Sequence, residues 1–198
     1  TGGGGMIATD NEQFAEKGWL KGPDRFRAYE TKGFRTPTGK VELRLSVAEK
    51  FRLNPLPEFT GLPEEEDPRF PLVLTTGKSR YYLHSSYRWL DRLRKLRPRP
   101  RVEIHPETAA RHGIADGDEV VIETKYGSIT QHAGITDTVD RRTVIASCGW
   151  WFPEAPADTQ YGWRESNFNM LTSAEKLGKE YGTPNIRALG CRIRKAAS

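Results

Sequence analysis

Residues 70–147 predict a mainly β chain with short helices, closed or nearly closed into a barrel. Two observations carry the prediction. Short runs rich in valine, isoleucine and threonine recur between turn residues, as in "DGDEVVIETKYGSIT", and evenly spaced runs of that kind read as strands of an all-β domain. Helical signals are brief and punctuated, as in "HPETAARHG".

The elements follow in order. Phe70–Thr75 is an apolar run short enough for a buried strand. Ser85–Leu96 carries Tyr87, Leu90, Leu93 and Leu96 close to helical spacing, and Pro98 and Pro100 end it. Val102–Ile104 is a strand. Pro106 then takes the first position of a helix, with Glu107 in the first turn, where the helix dipole favours an acid. Gly113 closes that helix. Asp116-Gly117-Asp118 turns the chain into a strand at Glu119–Thr124. Tyr126-Gly127 makes the next turn, and Ser128–Thr136 and Thr143–Ser147 are further strands.

The flanks read differently. Thr1–Gly5, "TGGGG", has the composition of a linker or cut site. Pro37 and Gly39 favour a turn, and Val41–Leu45 is a short strand or the start of a helix running through Lys50. Pro55, Pro57, Pro63, Pro68 and the acid run Glu64–Asp67 then make an extended connector. Residues 148–198 hold aromatic residues, many turn formers and little periodicity. That combination predicts a functional loop, too aromatic for disorder; much of Trp150–Gly182 is expected to be more mobile than the barrel.

The 198 residues are 36 % hydrophobic and 29 % charged. That is lean beside the ~45–50 % apolar content of ordinary globular chains, so part of the surface is expected to lean on something else. A net charge of +5 and a pI of about 9.2 favour an anionic partner. No run approaches the ~18 apolar residues of a membrane-spanning helix, and the first residues lack a signal-peptide pattern. Cys148 and Cys191 are too few for a disulfide framework.

Chemistry gathers in a few places. "FPLVLTTGKSRYYLHSSYR" starts apolar and ends in a fan of donors, as strand ends that face a ligand do; the plain alternative is a strand-to-helix junction with Ser85 or Ser86 as its cap. The basic run Arg92–Arg101 suits phosphate or nucleic acid. It lacks interleaved aromatics for base stacking, which favours a solvated face or a subunit contact. His84, His105, His112 and His132 show no metal-ligand spacing, so no metal site is expected. There is no phosphate-binding glycine loop and no nucleophile elbow, so no catalytic residue is assigned. "NFNMLT" and "GTPNIRALGCRI" offer amides, hydroxyls and Arg187 to a heterocycle's edge, or else serve as caps and turns.

Taken in order, "TPTGKVEL", "FPLVLTTGKSRYYLHSS", "VEIHPETAARHGIADGDEVVIETKYGSI", "WWFPE", "NMLT" and "TPNIRALGCRI" resemble the C-terminal part of the large subunit of the molybdopterin oxidoreductases, the dimethyl sulfoxide reductase family. The resemblance implies a six-stranded double-psi β-barrel that closes over a bis(molybdopterin guanine dinucleotide) cofactor carrying molybdenum or tungsten. It divides the chain into residues 1–66, the end of a preceding domain plus a connector, and residues 67–198, the barrel domain with its aromatic tail. It implies that the chain is a fragment, with the metal ligand, an iron–sulfur cluster and the substrate site on missing upstream domains. The implied partners are those domains and an iron–sulfur electron-transfer subunit, with neither nucleic acid nor membrane insertion. Substrate, choice of metal and compartment (prokaryotic cytoplasm or an exported complex) stay open.

Carried across by motif, the implied cofactor contacts fall on Thr76, Gly77, Lys78, His84, Ser85, Ser86, Asn169, Thr172 and Arg187. Gly77 would let the backbone approach the ligand closely. Lys78 stands where the family commonly has arginine, which keeps the charge and loses the two-pronged fork. Ile186 and Arg187 replace the family's aromatic and lysine. His84, Ser85 and Asn169 are expected at one mouth of the barrel. The rival readings are a non-enzymatic double-psi barrel that serves as a binding module, and a nucleic-acid binder acting through residues 92–101.

Overall fold

The computed structural model describes residues 12, 16, 27, 29–56, 58, 59, 61, 67–175, 177, 178 and 182–197. Thr1–Gly5, Pro57, Pro63 and Glu64–Glu66, singled out above, lie outside them. The chain divides into two units, Thr1–Glu58 and Phe59–Ser198. In the first, the turn at Pro37–Gly39 is present: Gly39 has φ +68, and its N–H donates to the Thr36 carbonyl at 3.0 Å. The next element is a helix, α1 (Ser46–Lys50); residues 41–45 form no strand.

The second unit is a closed barrel of six strands: β1 (Leu72–Gly77), β2 (Arg101–Ile104), β3 (Glu119–Thr124), β4 (Gly127–Ile135), β5 (Thr143–Ser147) and β6 (Arg187–Lys195). Around the wall they run β1-β5-β2-β4-β3-β6. β1 pairs parallel with β5, and β2 with β4. The other neighbours are antiparallel. The chain therefore passes over β5 to go from β1 to β2, and over β2 to go from β4 to β5. These two interlocked crossings are the double-psi wiring.

Period-two burial builds the interior. Leu72 and Leu74 of β1, Val102 and Ile104 of β2, and Val120 and Ile122 of β3 point inward. Leu74, Val102, Ile104, Val120 and Ile122 are fully buried. The small helix between β2 and β3, here α3 (Pro106–Arg111), has Pro106 at its first position. Its cap is His105, whose Nδ1 accepts from the Glu107 N–H at 3.1 Å. Gly113 follows with φ +63. The turn at Asp116–Asp118 is fixed by its own acids: Asp116 accepts from the Ile135 N–H and Asp118 from the Ala115 N–H, both at 2.8 Å.

Two expectations are corrected. First, the helix read over Ser85–Leu96 is only α2 (Asp91–Leu96). His84 (φ +51) and Tyr87 (φ +70) have left-handed backbones that no α-helix accommodates, and Tyr87, Leu90 and Leu96 stay exposed. Secondly, the tail contributes the closing strand β6, with Leu189, Cys191 and Ile193 inside the barrel. Among the described residues ahead of β6, Trp150, Phe168 and Leu171 are at most 1 % exposed, while Glu154 and residues 156–161 are exposed. Two short 3-10 segments (Ala157–Gly162 and Phe168–Leu171) and α4 (Trp163–Ser166) shape this stretch.

Candidate functional site

The strand registers gather six strand ends at one mouth. The C-terminal ends of β1, β5 and β3, at Gly77, Ser147 and Thr124, meet the N-terminal ends of β2, β4 and β6, at Arg101, Gly127 and Arg187. The loop after β1 runs over this mouth. So does the tail: the Leu171 carbonyl accepts from Thr124 Oγ1 at 2.9 Å, and a Cβ added to Gly127 would lie 2.5 Å from the Met170 carbonyl oxygen.

A cleft of about 410 Å3 opens there, with Thr76, Gly77, Lys78 and Arg187 among its lining residues. Further cations, Arg80, Arg97 and Arg101, line it against one carboxylate, Glu103. Such a field draws anions. Of the basic run Arg92–Arg101, Arg92, Lys95 and Arg99 are exposed, as a solvated run would be; Arg97 lines the cleft, Arg94 pairs with Glu154, and the Arg101 guanidinium runs back along the wall toward Asp116, 3.7 Å away. Gly77 has a second reason to lack a side chain, since a Cβ there would lie 2.6 Å from Ile145 Cγ2.

The other sequence-assigned residues ring the same mouth without lining this cleft. His84 and Ser85 are exposed and Ser86 half-buried. The Ser86 N–H donates to the Leu83 carbonyl at 2.8 Å, so the Ser85–Ser86 pair closes a turn and caps no helix. Asn169 is exposed on the 3-10 segment beside the β3–β4 turn. Thr172 Oγ1 donates to the Asn185 carbonyl at 2.6 Å, and Asn185 Oδ1 accepts from the Arg187 N–H at 3.1 Å. His84 and Ser85 thus lie on the loop after β1, and Asn169 on the segment beside the β3–β4 turn.

Some of the mouth's donors have no partner. Asn185 Nδ2, Trp150 Nε1, and Arg88 Nε and Nη1 are buried and unpaired among the described residues. Unpaired buried donors are costly and unusual. Sequence reasoning passed over Arg88, which is 1 % exposed. Its guanidinium lies 4.1 Å from the Tyr82 ring centre and 4.0 Å from that of Trp150. Burial pushes it down to about 10. The sequence signal was faint: an arginine set among aromatics in "YYLHSSYRW", with "GWW" far downstream.

A closed double-psi barrel with a cation-lined mouth defines a binding domain for a large, acceptor-rich anion. Residues 72–189 match the family model described as the molydopterin dinucleotide binding domain; the chain belongs to this family, the dinucleotide-binding domain of the molybdopterin oxidoreductases. It is 37 % identical over 174 residues to the dopamine dehydroxylase of Eggerthella lenta, covering 83 % of this chain and 17 % of that protein. It is 36 % identical over 128 residues to the trimethylamine-N-oxide reductase of Haemophilus influenzae, covering 59 % of this chain and 15 % of that one. The solved acetylene hydratase of Pelobacter acetylenicus superposes with a TM-score of 0.72 at 31 % identity, over 89 % of this chain and 26 % of that chain. The chain therefore spans about a sixth of the length of the first two relatives and a quarter of the third.

The residues present fit a molybdopterin dinucleotide. Lys78, Arg80, Arg97 and Arg187 suit a pyrophosphate. The orphan amide of Asn185 suits an acceptor on a pterin or purine. The cleft volume lies within the ~300–1,000 Å3 usual for ligand sites.

Proposed function

We propose that this chain holds and tunes a bis(molybdopterin guanine dinucleotide) in a molybdenum or tungsten oxidoreductase. The observation that carries the reading is the mouth itself. Exposed cations line a cleft at the ends of β1, β2 and β6, and buried donors beside it lack acceptors. In this reading Lys78 and Arg187 hold phosphate oxygens, Thr76 and the Gly77 backbone border them, and His84, Ser85, Ser86, Asn169 and Thr172 present polar groups to the pterin and nucleoside edges.

When bound, the cofactor supplies the redox or Lewis-acid chemistry at its metal, and the protein supplies position and electrostatics. No residue of the chain is given a proton-transfer role. The metal ligand, an iron–sulfur cluster and the substrate site are assigned to further domains of a large subunit, and an iron–sulfur electron-transfer subunit is the expected redox partner. The names of the relatives support placing substrate choice elsewhere: a dehydroxylase, an N-oxide reductase and a hydratase share this barrel.

The test is cofactor occupancy in the protein expressed from its whole reading frame. Lys78→Ala and Arg187→Ala should each leave melting unchanged and lower the dinucleotide and metal recovered per chain. Full occupancy in the double variant would refute the reading.

A further inference from the structure

The loop that follows β1 has a shape its own sequence does not favour. His84 and Tyr87 both have left-handed backbones, which residues with a Cβ seldom adopt without outside support. The support comes from across the mouth. Arg88 Nη2 donates to the carbonyls of His84 at 3.1 Å, Gly149 at 3.2 Å and Cys148 at 3.4 Å. One guanidinium corner thereby ties the loop to the chain leaving β5. A second tie comes from Trp151, whose Nε1 donates to the Ser85 carbonyl at 2.6 Å. The two strands of chain touch: a Cβ on Gly149 would lie 3.2 Å from the Ser85 nitrogen.

Arg88 itself is in no position to meet a large ligand. It packs into the corner formed by the rings of Tyr82 and Trp150, which meet edge to face with centres 5.6 Å apart. The space it shares with Lys78, Ser79, His84, Ser147 and Cys148 is about 10 Å3, enough for one water-sized atom. Arg88 thus acts from behind the loop, and its unpaired Nε and Nη1 leave room for a single bridging acceptor.

We propose that Arg88 is a positioning residue: it fixes the His84–Ser86 loop in the shape that receives the dinucleotide before the ligand arrives. The inference rests on the molybdopterin reading above. Preorganisation of this kind raises affinity by removing the ordering cost from the binding step.

The test uses the protein expressed from its whole reading frame, loaded in the cell. Arg88→Lys keeps a cation against the two rings and loses the corner that reaches three carbonyls. Its melting temperature should stay near that of the parent, while dinucleotide per chain falls at least tenfold. Amide exchange in Leu83–Tyr87 of the cofactor-free protein should accelerate at least tenfold, with β3 and β4 unchanged. A role confined to packing would move melting first and exchange everywhere. Lys78→Ala and Arg187→Ala are measured beside it. If these keep full occupancy, the binding reading fails whatever Arg88 does. If they lose occupancy and Arg88→Lys keeps it, or its loop exchanges as before, the positioning role is overturned. Should Arg88→Lys not fold, Arg88→Gln is read in its place, and loss of the fold in both variants makes Arg88 a core residue and overturns the proposal.

Discussion

The wall of the barrel and its mouth obey opposite rules. The wall satisfies itself. β3 and β4 pair without a break from Glu119–His132 to Thr124–Gly127. Even its buried polar group is fully engaged: the Gln131 amide donates to the Ser147 and Ser166 carbonyls at 3.0 Å and accepts from the Ser147 N–H at 2.9 Å. The mouth does not satisfy itself. Left-handed His84, Tyr87 and Ala188 sit there, beside unpaired donors on Arg88 and Asn185. Strain and unmet donors that cluster at one end mark where a partner is expected to complete the structure.

The largest contrast should appear in stability. Leu74 is fully buried in the wall, so Leu74→Ala should cost about 2–5 kcal/mol in a urea titration. Arg97→Ala, at the mouth, should stay within about 0.5 kcal/mol of the parent. A large loss from Arg97 would mean that the mouth is built like the wall.

Occupancy should reverse the order. Asn169→Ala should leave the fold intact and weaken cofactor retention by roughly 1–3 kcal/mol if its partner is left buried and unpaired. Leu74→Ala, once folded, should retain the cofactor. Unchanged retention in Asn169→Ala would remove that rim residue from the site.

The two cysteines sharpen the comparison with a simple count. Cys191 faces the interior with no exposure, and burial pushes its thiol up to about 12. Cys148 is half-buried at the mouth. A thiol reagent at neutral pH should label Cys148 in the folded protein and reach Cys191 only after denaturation. Equal labelling rates would show that the closing strand opens freely.

The smallest effect concerns acid. β6 is tied to β3 by Arg192–Glu123 at 2.6 Å and Lys195–Asp118 at 2.8 Å. Hydrogen bonds from those cations hold both carboxyls below their ordinary values of 4.5 and 3.8. A depressed carboxyl adds stability above its unfolded value and loses it as pH falls through the folded one. Stability should therefore fall shallowly below about pH 4.5, and Glu123→Gln should make the slope shallower still. The groups are largely exposed, so a steep acid transition assigned to this pair would contradict the placement.

The same contrast explains what the sequence disclosed. β3 and β5 were legible residue for residue, because "EVVIET" and "TVIAS" are β-branched and bounded by turns. β6 was not, although Leu189, Cys191 and Ile193 alternate inward. Gly190, Arg192 and Arg194 between them weaken the strand signal, and a register shift opposite Leu74 and Thr75 breaks its start. The over-long helix failed for a related reason: Tyr87, Leu90 and Leu96 have helical spacing but serve an exposed surface. At the mouth, motif resemblance located the β1 end and the tail. It missed Arg88 and Arg97, whose roles depend on chain segments far apart in sequence meeting over one opening.

Amide exchange compared between the cofactor-free and the cofactor-loaded protein separates mouth from wall. New protection is expected at Gly77–Ser86 and Asn185–Ala188 on loading, with the paired amides of β3 and β4 exchanging as before. Protection confined to the wall, or none at the mouth, would contradict cofactor binding at the mouth.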